Sequence, residues 1–103
     1  MYRIEIDTIA QGEIQDAAAY IARDSPIAAE TWMDGLLEAI LDLQDMPFAH
    51  AAAREDPNPK HGSRQRLYHS HRIIYTVEDD VIHILRVRHA AQENALIRPR
   101  PKQ

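Results

Sequence analysis

The sequence predicts an α+β fold in which one mainly antiparallel sheet carries a two-helix hairpin on one face. Three observations give the element order β-α-α-β-β-β. An alternating segment opens the chain, two stretches with helical periodicity follow, and the second half holds three short segments rich in β-branched residues. Because the two helices form an αα-hairpin packed on the sheet, we expect them to occupy one side and leave the opposite face for a site.

The first half of the chain supplies one strand and both helices. Residues 2–7 (YRIEID) alternate apolar and polar side chains, which predicts a half-buried strand. Thr8 is an N-cap candidate for a helix over residues 9–24. Ser25 and Pro26 are typical of a helix start, and a second helix is expected to extend to about Asp45. Its apolar stripe consists of Ala29, Trp32, Met33, Leu36, Ile40 and Leu43.

The second half predicts a long loop, then a three-stranded meander. Residues 46–63 lack periodicity and contain three prolines and a glycine, so we expect a loop. Strands follow at residues 64–69, 72–77 and 81–87, with turns at Ser70-His71 and at Glu78-Asp79-Asp80. A short helical turn is expected over residues 89–96. Residues 1–97 then form a single domain, and residues 98–103 form a basic, proline-broken tail.

Composition excludes several classes of protein. The 103 residues suffice for one domain with a single core. The absence of cysteine excludes disulfides and thiolate zinc sites. No apolar run approaches the roughly 20 residues of a membrane span, and no signal-peptide pattern is present, so we expect a cytoplasmic protein.

Charge is divided unequally along the chain. The net charge is −4, but residues 1–50 carry ten acidic and two basic residues, whereas residues 51–103 carry six acidic and ten basic residues. The asymmetry indicates either an acidic helical face together with a basic face for an anionic or acidic partner, or two halves that neutralise each other across the fold.

The segment from Arg72 to His89 (RIIYTVEDDVIHILRVRH), in this element order, resembles the RelE/ParE toxin superfamily of bacterial type II toxin–antitoxin systems. The resemblance extends from Tyr2 to about Glu93. Its supporting residues are Tyr20, Ala29, Trp32, Leu36, Ile40, Leu43, Pro47, Arg72, Tyr75, Asp79, Asp80, Ile84, Val87 and His89. The resemblance implies the fold described above and a cognate antitoxin that lays a helix or strand across the toxin.

The superfamily contains two kinds of toxin, and the sequence favours the ParE-like kind. ParE-like toxins bind and poison DNA gyrase without a known catalytic site of their own. The long helical hairpin, Trp32 and the "ILRV" strand support this branch, although His89-Ala90-Ala91-Gln92 replaces the family's H-G-x-R. The residues expected to bind the target or partner are Arg72, Arg86, Arg88, His89 and Gln92.

A RelE-like toxin, in contrast, is a ribosome-dependent mRNA endonuclease that uses basic residues on the sheet to activate the 2′-hydroxyl and stabilise phosphate charge. The catalytic candidates for this alternative are Arg64, Arg66, Arg72 and His89. The usual tyrosine after the last strand is missing, since the last tyrosine is Tyr75. A third alternative is a degenerate toxin that retains only antitoxin binding.

Several candidates also have simpler structural interpretations. Arg72 is either a phosphate or target contact or a structural arginine at a strand start. Arg86 and Arg88 are expected to share a strand face with Ile82 and Ile84. Tyr68 is a packing residue or a base-stacking contact. Four histidines, His61, His69, His71 and His83, suggest a metal site. No cysteine or well-spaced carboxylate completes such a site, so we expect neither a metal nor a cofactor.

Overall fold

The computed structural model describes residues 1–53 and 62–90 and has the predicted element order. The elements are β1 (Arg3–Ile6), α1 (Thr8–Ala22), α2 (Pro26–Asp42), β2 (Arg64–Tyr68), β3 (His71–Glu78) and β4 (Val81–His89). The strands form one sheet in the order β1-β4-β3-β2, in which β1 is parallel to β4 and the other pairs are antiparallel. The predicted α+β class is therefore confirmed.

Both helices begin close to the predicted positions and end earlier. Ser25 caps α2, because its side chain accepts a hydrogen bond from the Ala28 amide at 3.1 Å. The N-cap of α1 is Asp7 rather than the expected Thr8. Beyond Asp42, the amides of residues 43–45 bond to carbonyls three residues back, so the chain continues in tight turns after the α-helix ends.

The core lies between the helices and one face of the sheet. Helices α1 and α2 contribute apolar side chains at their inward positions, and β3 and β4 contribute the facing layer. The buried residues of this cluster are Ala10, Ile14, Leu36, Ala39, Ile40, Leu43, Ile73, Tyr75, Ile82, Ile84 and Val87. Both helices therefore cover the same face, as the sequence predicts.

Two-residue turns join the last three strands. Tyr68 pairs with His71, so the turn is His69-Ser70 and not the predicted Ser70-His71. Asp79-Asp80 forms the second turn. In each turn the first residue has a left-handed backbone, with φ of 52° at His69 and 55° at Asp79. A short polar side chain such as that of Asp tolerates this conformation better than a β-branched one does.

A β-bulge in β4 changes which side chains face the helices. Ile74 pairs with Arg86 and Tyr75 pairs with Ile84, so Leu85 is the extra residue. Val87, which follows the bulge, is 3% exposed and belongs to the same buried cluster as Ile84. The prediction that Arg86 and Arg88 share a face with Ile82 and Ile84 is therefore wrong, because an inserted residue reverses the alternation of a strand.

The predicted loop over residues 46–63 contains a short pairing with the outer edge of β2. Ala52 forms an antiparallel bridge with Arg64. The Gln65 amide donates to the Ala51 carbonyl at 2.9 Å, and the Ala53 amide donates to the Ser63 carbonyl at 3.0 Å. This pairing covers part of an otherwise open sheet edge. Residues 54–61, the predicted basic tail and residues 91–96 of the predicted helical turn lie outside the described residues. His89, the expected first residue of that turn, is instead the last residue of β4.

Within the described ranges, neither helix has the length and apolar character that a membrane span would require.

Candidate functional site

Arg64 and Arg66 of β2 lie on the helix-covered face and bind main-chain carbonyls. The Arg64 guanidinium donates to the carbonyls of Phe48 and His50 at 3.1 and 2.7 Å. The Arg66 guanidinium donates to the Ala39 carbonyl of α2 at 2.6 Å. Such charge-assisted bonds to partly buried carbonyls hold β2 against α2 and the loop that follows it. Both arginines therefore have a structural role in this arrangement.

Tyr68 ends the same row of side chains on β2. Its hydroxyl donates to the Trp32 carbonyl at 2.9 Å. The hydroxyl lies over Gly35, where a Cβ atom would overlap it. Tyr68 therefore packs on α2, with its ring centroid 6.1 Å from that of Trp32 and the two rings tilted relative to each other. Of the two roles predicted for Tyr68, packing and base stacking, packing is the one that agrees with this position.

Arg72 lies on the opposite face of the sheet. It pairs with Leu67, which stands between Arg66 and Tyr68 on β2, and alternate residues of a strand point to opposite faces. The Arg72 side chain is only 1% exposed, and its guanidinium donates to the Gln65 amide oxygen at 2.7 Å. The sheet therefore separates Arg72 from Arg64 and Arg66.

His89 lies at the far end of β4, next to His71. The two residues are cross-strand partners, with ring centroids 5.0 Å apart, and the His71 ring is 5.1 Å from that of Trp32. Arg64, in contrast, pairs with Tyr75, which lies four residues beyond His71 on β3. Four residues of strand correspond to a separation of about 13 Å. The four residues predicted as a catalytic set for RNA cleavage are thus not brought together.

A groove of about 790 Å³ opens beside His89, between α1, α2 and the end of the sheet. Its walls combine acidic side chains from α1, an aromatic residue of α2, the β2–β3 turn and the end of β4. The lining residues are Glu13, Asp16, Ala17, Tyr20, Ile21, Trp32, His69, Ser70, His71, Val87, Arg88 and His89. Arg88 and His89, two of the predicted binding residues, thus both contribute to the lining of this groove.

The half-buried His71 favours its neutral form. Burial lowers the pKa of His71 below the ordinary value of 6.5, and the neighbouring His89 lowers it further. His83, elsewhere on β4, lies 3.6 Å from the Glu5 carboxylate and 3.3 Å from the Glu78 carboxylate. The described residues include no group of three or more His, Asp or Glu side chains arranged to hold a metal ion, and His61 lies outside them.

Glu13 is a site residue that the sequence analysis did not single out. Its carboxylate forms an ion pair with Arg86 at 2.7 Å and accepts a hydrogen bond from the Val87 amide at 2.8 Å. Strand β1 covers this edge of β4 only as far as Ile84, which pairs with Ile6. The carboxylate of Glu13 thus occupies a place that a neighbouring strand would otherwise fill.

The remaining predicted binding residues differ in accessibility. Arg86 is engaged by Glu13 and is 35% exposed, whereas Arg72 is buried. Arg88 and His89 line the groove. Gln92 lies outside the described residues.

Residues 4–94 match the family described as the ParE toxin of the type II toxin–antitoxin system, parDE. The chain belongs to this ParE toxin family. The match spans nearly the whole sequence and confirms the superfamily and the branch indicated by the sequence. The protein is therefore a toxin of the type II toxin–antitoxin class.

Solved structures with the same fold come from ParE and RelE systems. A chain of the chromosomal ParDE system from P. aeruginosa superimposes with a TM-score of 0.71 at 20% identity, covering 86% of this chain and 96% of that one. A chain of the RelBE2 toxin–antitoxin complex from Mycobacterium tuberculosis has a TM-score of 0.61 at 20% identity, with coverages of 85% and 96%.

A chain of the heterotetrameric YoeB–YefM complex from Staphylococcus aureus has a TM-score of 0.53 at 16% identity and covers 86% of this chain and 97% of that one. No curated protein is significantly similar to this chain in sequence. At these identities the solved structures establish the fold and leave the target open.

Proposed function

We propose that this ParE-family toxin arrests growth by binding and poisoning DNA gyrase, and that a cognate antitoxin neutralises it. The observation that carries the proposal is the dispersal of the basic residues that an RNA-cleaving toxin would need. Arg64 and Arg66 bind main-chain carbonyls on the helix-covered face, and Arg72 is buried on the other face. Transition-state stabilisation requires preorganised groups around one reacting phosphate, so this arrangement favours action by binding.

The family assignment supports the same branch. The matching family is that of parDE systems, and the first of the similar structures belongs to a ParDE system. The three solved structures named above are of toxin–antitoxin systems or complexes, which supports an antitoxin as the neutralising partner of this chain. Since gyrase acts on chromosomal and plasmid DNA, the proposed site of action is the bacterial cytoplasm, and plasmid stabilisation is the proposed biological role.

Within this function, Arg88 and His89 are the residues we assign to target binding. Both line the groove at the end of β4, where His89 is exposed and Arg88 is partly exposed. Arg72 and Arg86 act indirectly, because buried or ion-paired guanidinium groups shape the sheet end instead of contacting a partner. Gln92 follows in sequence and remains a predicted contact.

The first experiment is induction of this chain alone in bacteria, with growth, the DNA-damage response and transcript integrity followed together. Growth arrest with an induced damage response and intact transcripts supports gyrase poisoning. Purified chain should then trap cleaved DNA in complex with gyrase. Arg88→Ala and His89→Ala should weaken trapping at least tenfold, whereas the exposed Arg3→Ala should leave it unchanged.

The other outcomes identify the alternatives. Rapid cleavage of ribosome-bound mRNA would refute the gyrase proposal in favour of a RelE-like endonuclease, and Arg64, Arg66, Arg72 and His89 would then be tested as catalytic residues. Normal growth without gyrase inhibition would indicate a degenerate toxin that keeps only antitoxin binding.

A further inference from the structure

Helix α2 presents an outward face that no described element covers. At 100° per residue, eight side chains fall on the side opposite to the buried residues of α2, which are Ala29, Leu36, Ala39 and Ile40. All eight are exposed: Ile27, Glu30, Thr31, Asp34, Leu37, Glu38, Leu41 and Asp42. We refer to these eight residues as the outward α2 face.

The outward α2 face carries an uninterrupted row of acidic residues. Glu30, Asp34, Glu38 and Asp42 are spaced four residues apart, so each lies one turn above the previous one. Like charges at this spacing repel each other. In the described part of the chain, the one cation recorded near this row is Arg66, which is 3.8 Å from Asp42. Helix α2 contains no Lys or Arg of its own.

Aliphatic side chains lie between these carboxylates. Ile27 is 76% exposed, Leu37 is 41% exposed and Leu41 is 55% exposed. Leu37 and Leu41 are one turn apart, and Ile27 and Leu41 are separated by two heptads. The face therefore offers apolar contacts along the helix axis with acidic groups directly beside them. This combination is typical of a surface that receives another amphipathic segment.

The charge of the face decides which segment fits. Nucleic acids and anionic lipid surfaces carry the same sign of charge and are repelled. A second copy of this chain would bring an identical acidic row against the first, without basic residues from α2 to pair with it. A polypeptide with Lys or Arg beside apolar residues complements both features.

We infer that the outward α2 face docks a cationic, amphipathic segment of the cognate antitoxin. The inference rests on the proposed neutralisation by an antitoxin and adds the place and the chemistry of the contact. Aliphatic residues of the segment pack on Leu37 and Leu41, and its cationic residues pair with the acidic row. Docking relieves the repulsion within that row, so binding is coupled to the stability of α2 and decreases with salt.

The inference is tested with two synthetic helical peptides of equal length, one built from Leu and Lys and the other from Leu and Glu. Binding to the full chain is measured by fluorescence anisotropy at low and high salt. The Leu/Lys peptide should bind, and the Leu/Glu peptide should not. Asp34→Lys combined with Glu38→Lys should raise the Kd of the Leu/Lys peptide at least tenfold.

A matched control carries the same change in net charge at a distance from α2. Glu5→Lys combined with Asp80→Lys alters exposed side chains of β1 and the β3–β4 turn, and should change the Kd by less than twofold. Equal losses in the two double variants would overturn the inference, because the attraction would then follow net charge alone. Equal binding of both peptides, or no binding of either, would overturn it as well.

The peptide experiment is independent of toxicity. A chain that binds the Leu/Lys peptide as described but fails to arrest growth refutes the proposed function and keeps the docking surface. A chain that arrests growth but does not bind the peptide refutes the docking surface and keeps the proposed function.

Discussion

Glu13 of α1 and Arg86 of β4 are joined across 73 positions of sequence by two guanidinium nitrogens that donate to the Glu13 carboxylate. The same carboxylate accepts a hydrogen bond from the Val87 amide at 2.8 Å. One side chain therefore fixes the position of α1 and completes the edge of β4 where β1 has ended. The contact combines an ion pair with a main-chain hydrogen bond, and its loss leaves both donors without this acceptor.

We expect Glu13→Ala to lower the free energy of unfolding by about 2 kcal/mol, because charge-assisted hydrogen bonds in a partly buried site are lost. Glu13→Gln should lose less, since its amide oxygen still accepts one bond. Urea denaturation measures both changes. The control is Glu5→Ala, which removes the exposed pair with Arg3 and the longer contact with His83 and should cost less than about 0.5 kcal/mol. Equal effects of Glu13→Ala and Glu5→Ala would contradict the proposed role of Glu13.

Gly35→Ala should destabilise the chain even though alanine favours helices. The added Cβ overlaps the Tyr68 hydroxyl, so the β2 side chain must shift away from α2. We expect a loss of about 2 kcal/mol, as for other overpacked sites. Gly12→Ala is the matched control, because nothing lies near that position, and it should stabilise α1 by up to about 1 kcal/mol.

Tyr68→Phe tests whether overlap with the Tyr68 hydroxyl causes the loss of stability expected for Gly35→Ala. Alone it removes the bond to the Trp32 carbonyl and should cost about 1 kcal/mol. Combined with Gly35→Ala, it should be less destabilising than the sum of the two single changes, because the overlapping atom is gone. If the losses of stability in thermal or urea denaturation were additive, overlap between the alanine Cβ and the Tyr68 hydroxyl would not be the cause of the destabilisation by Gly35→Ala.

We expect Arg66→Ala to affect the protein by lowering its stability. The guanidinium bond to the Ala39 carbonyl is lost, at a cost of about 1.5 kcal/mol, and β2 loosens from α2. Arg66→Lys should recover part of the stability, because its ammonium group can still donate to a carbonyl. Growth arrest by the Lys variant should remain close to that of the parent. Full stability together with abolished toxicity in either variant would instead indicate a direct functional role.

His71 should make the chain less stable in mild acid. Burial and the neighbouring His89 lower the pKa of His71 in the folded state below the unfolded value of 6.5, so the unfolded chain binds the proton more readily. Stability therefore decreases as pH falls below about 6.5 and stops decreasing once the folded state is also protonated. His50, whose pKa is lowered by burial and by Arg66 and Arg64, contributes in the same direction.

Urea midpoints at pH 7.5 and pH 5.5 test this dependence. His71→Gln should reduce the difference between the two midpoints without abolishing it, since His50 still contributes. His69→Asn, in the exposed β2–β3 turn, should leave the difference unchanged. A pH dependence in His71→Gln equal to that of the parent chain would contradict the assignment.

The elements and their order could be read from local patterns. Alternation identified β1, helical spacing identified the buried face of α2, and Ser25-Pro26 placed the start of that helix to the residue. These features depend on near neighbours in sequence, where backbone preference and solvent exposure act directly. The RelE/ParE resemblance followed from the same patterns and agrees with the family match.

The arrangement of the candidate site could not be read in the same way. The bulge at Leu85 reverses the alternation of β4 and moves Val87 into the core, although no residue type in that strand marks the insertion. Arg64 and Arg66 looked like Arg72 in sequence, but the sheet separates them, because the face of each arginine depends on the register between β2 and β3.

The fold class and the helix start at Ser25 were therefore predictable, since each depends on periodicity or on local backbone chemistry, and the quoted residues of the sheet carried the resemblance to the toxin superfamily. Three features became visible in the folded chain alone: Glu13 completes the edge of β4, Arg72 is buried, and Arg88 and His89 line the same groove. Those contacts join residues far apart in the chain, and their geometry is set by how the strands pair and how the helices pack on them.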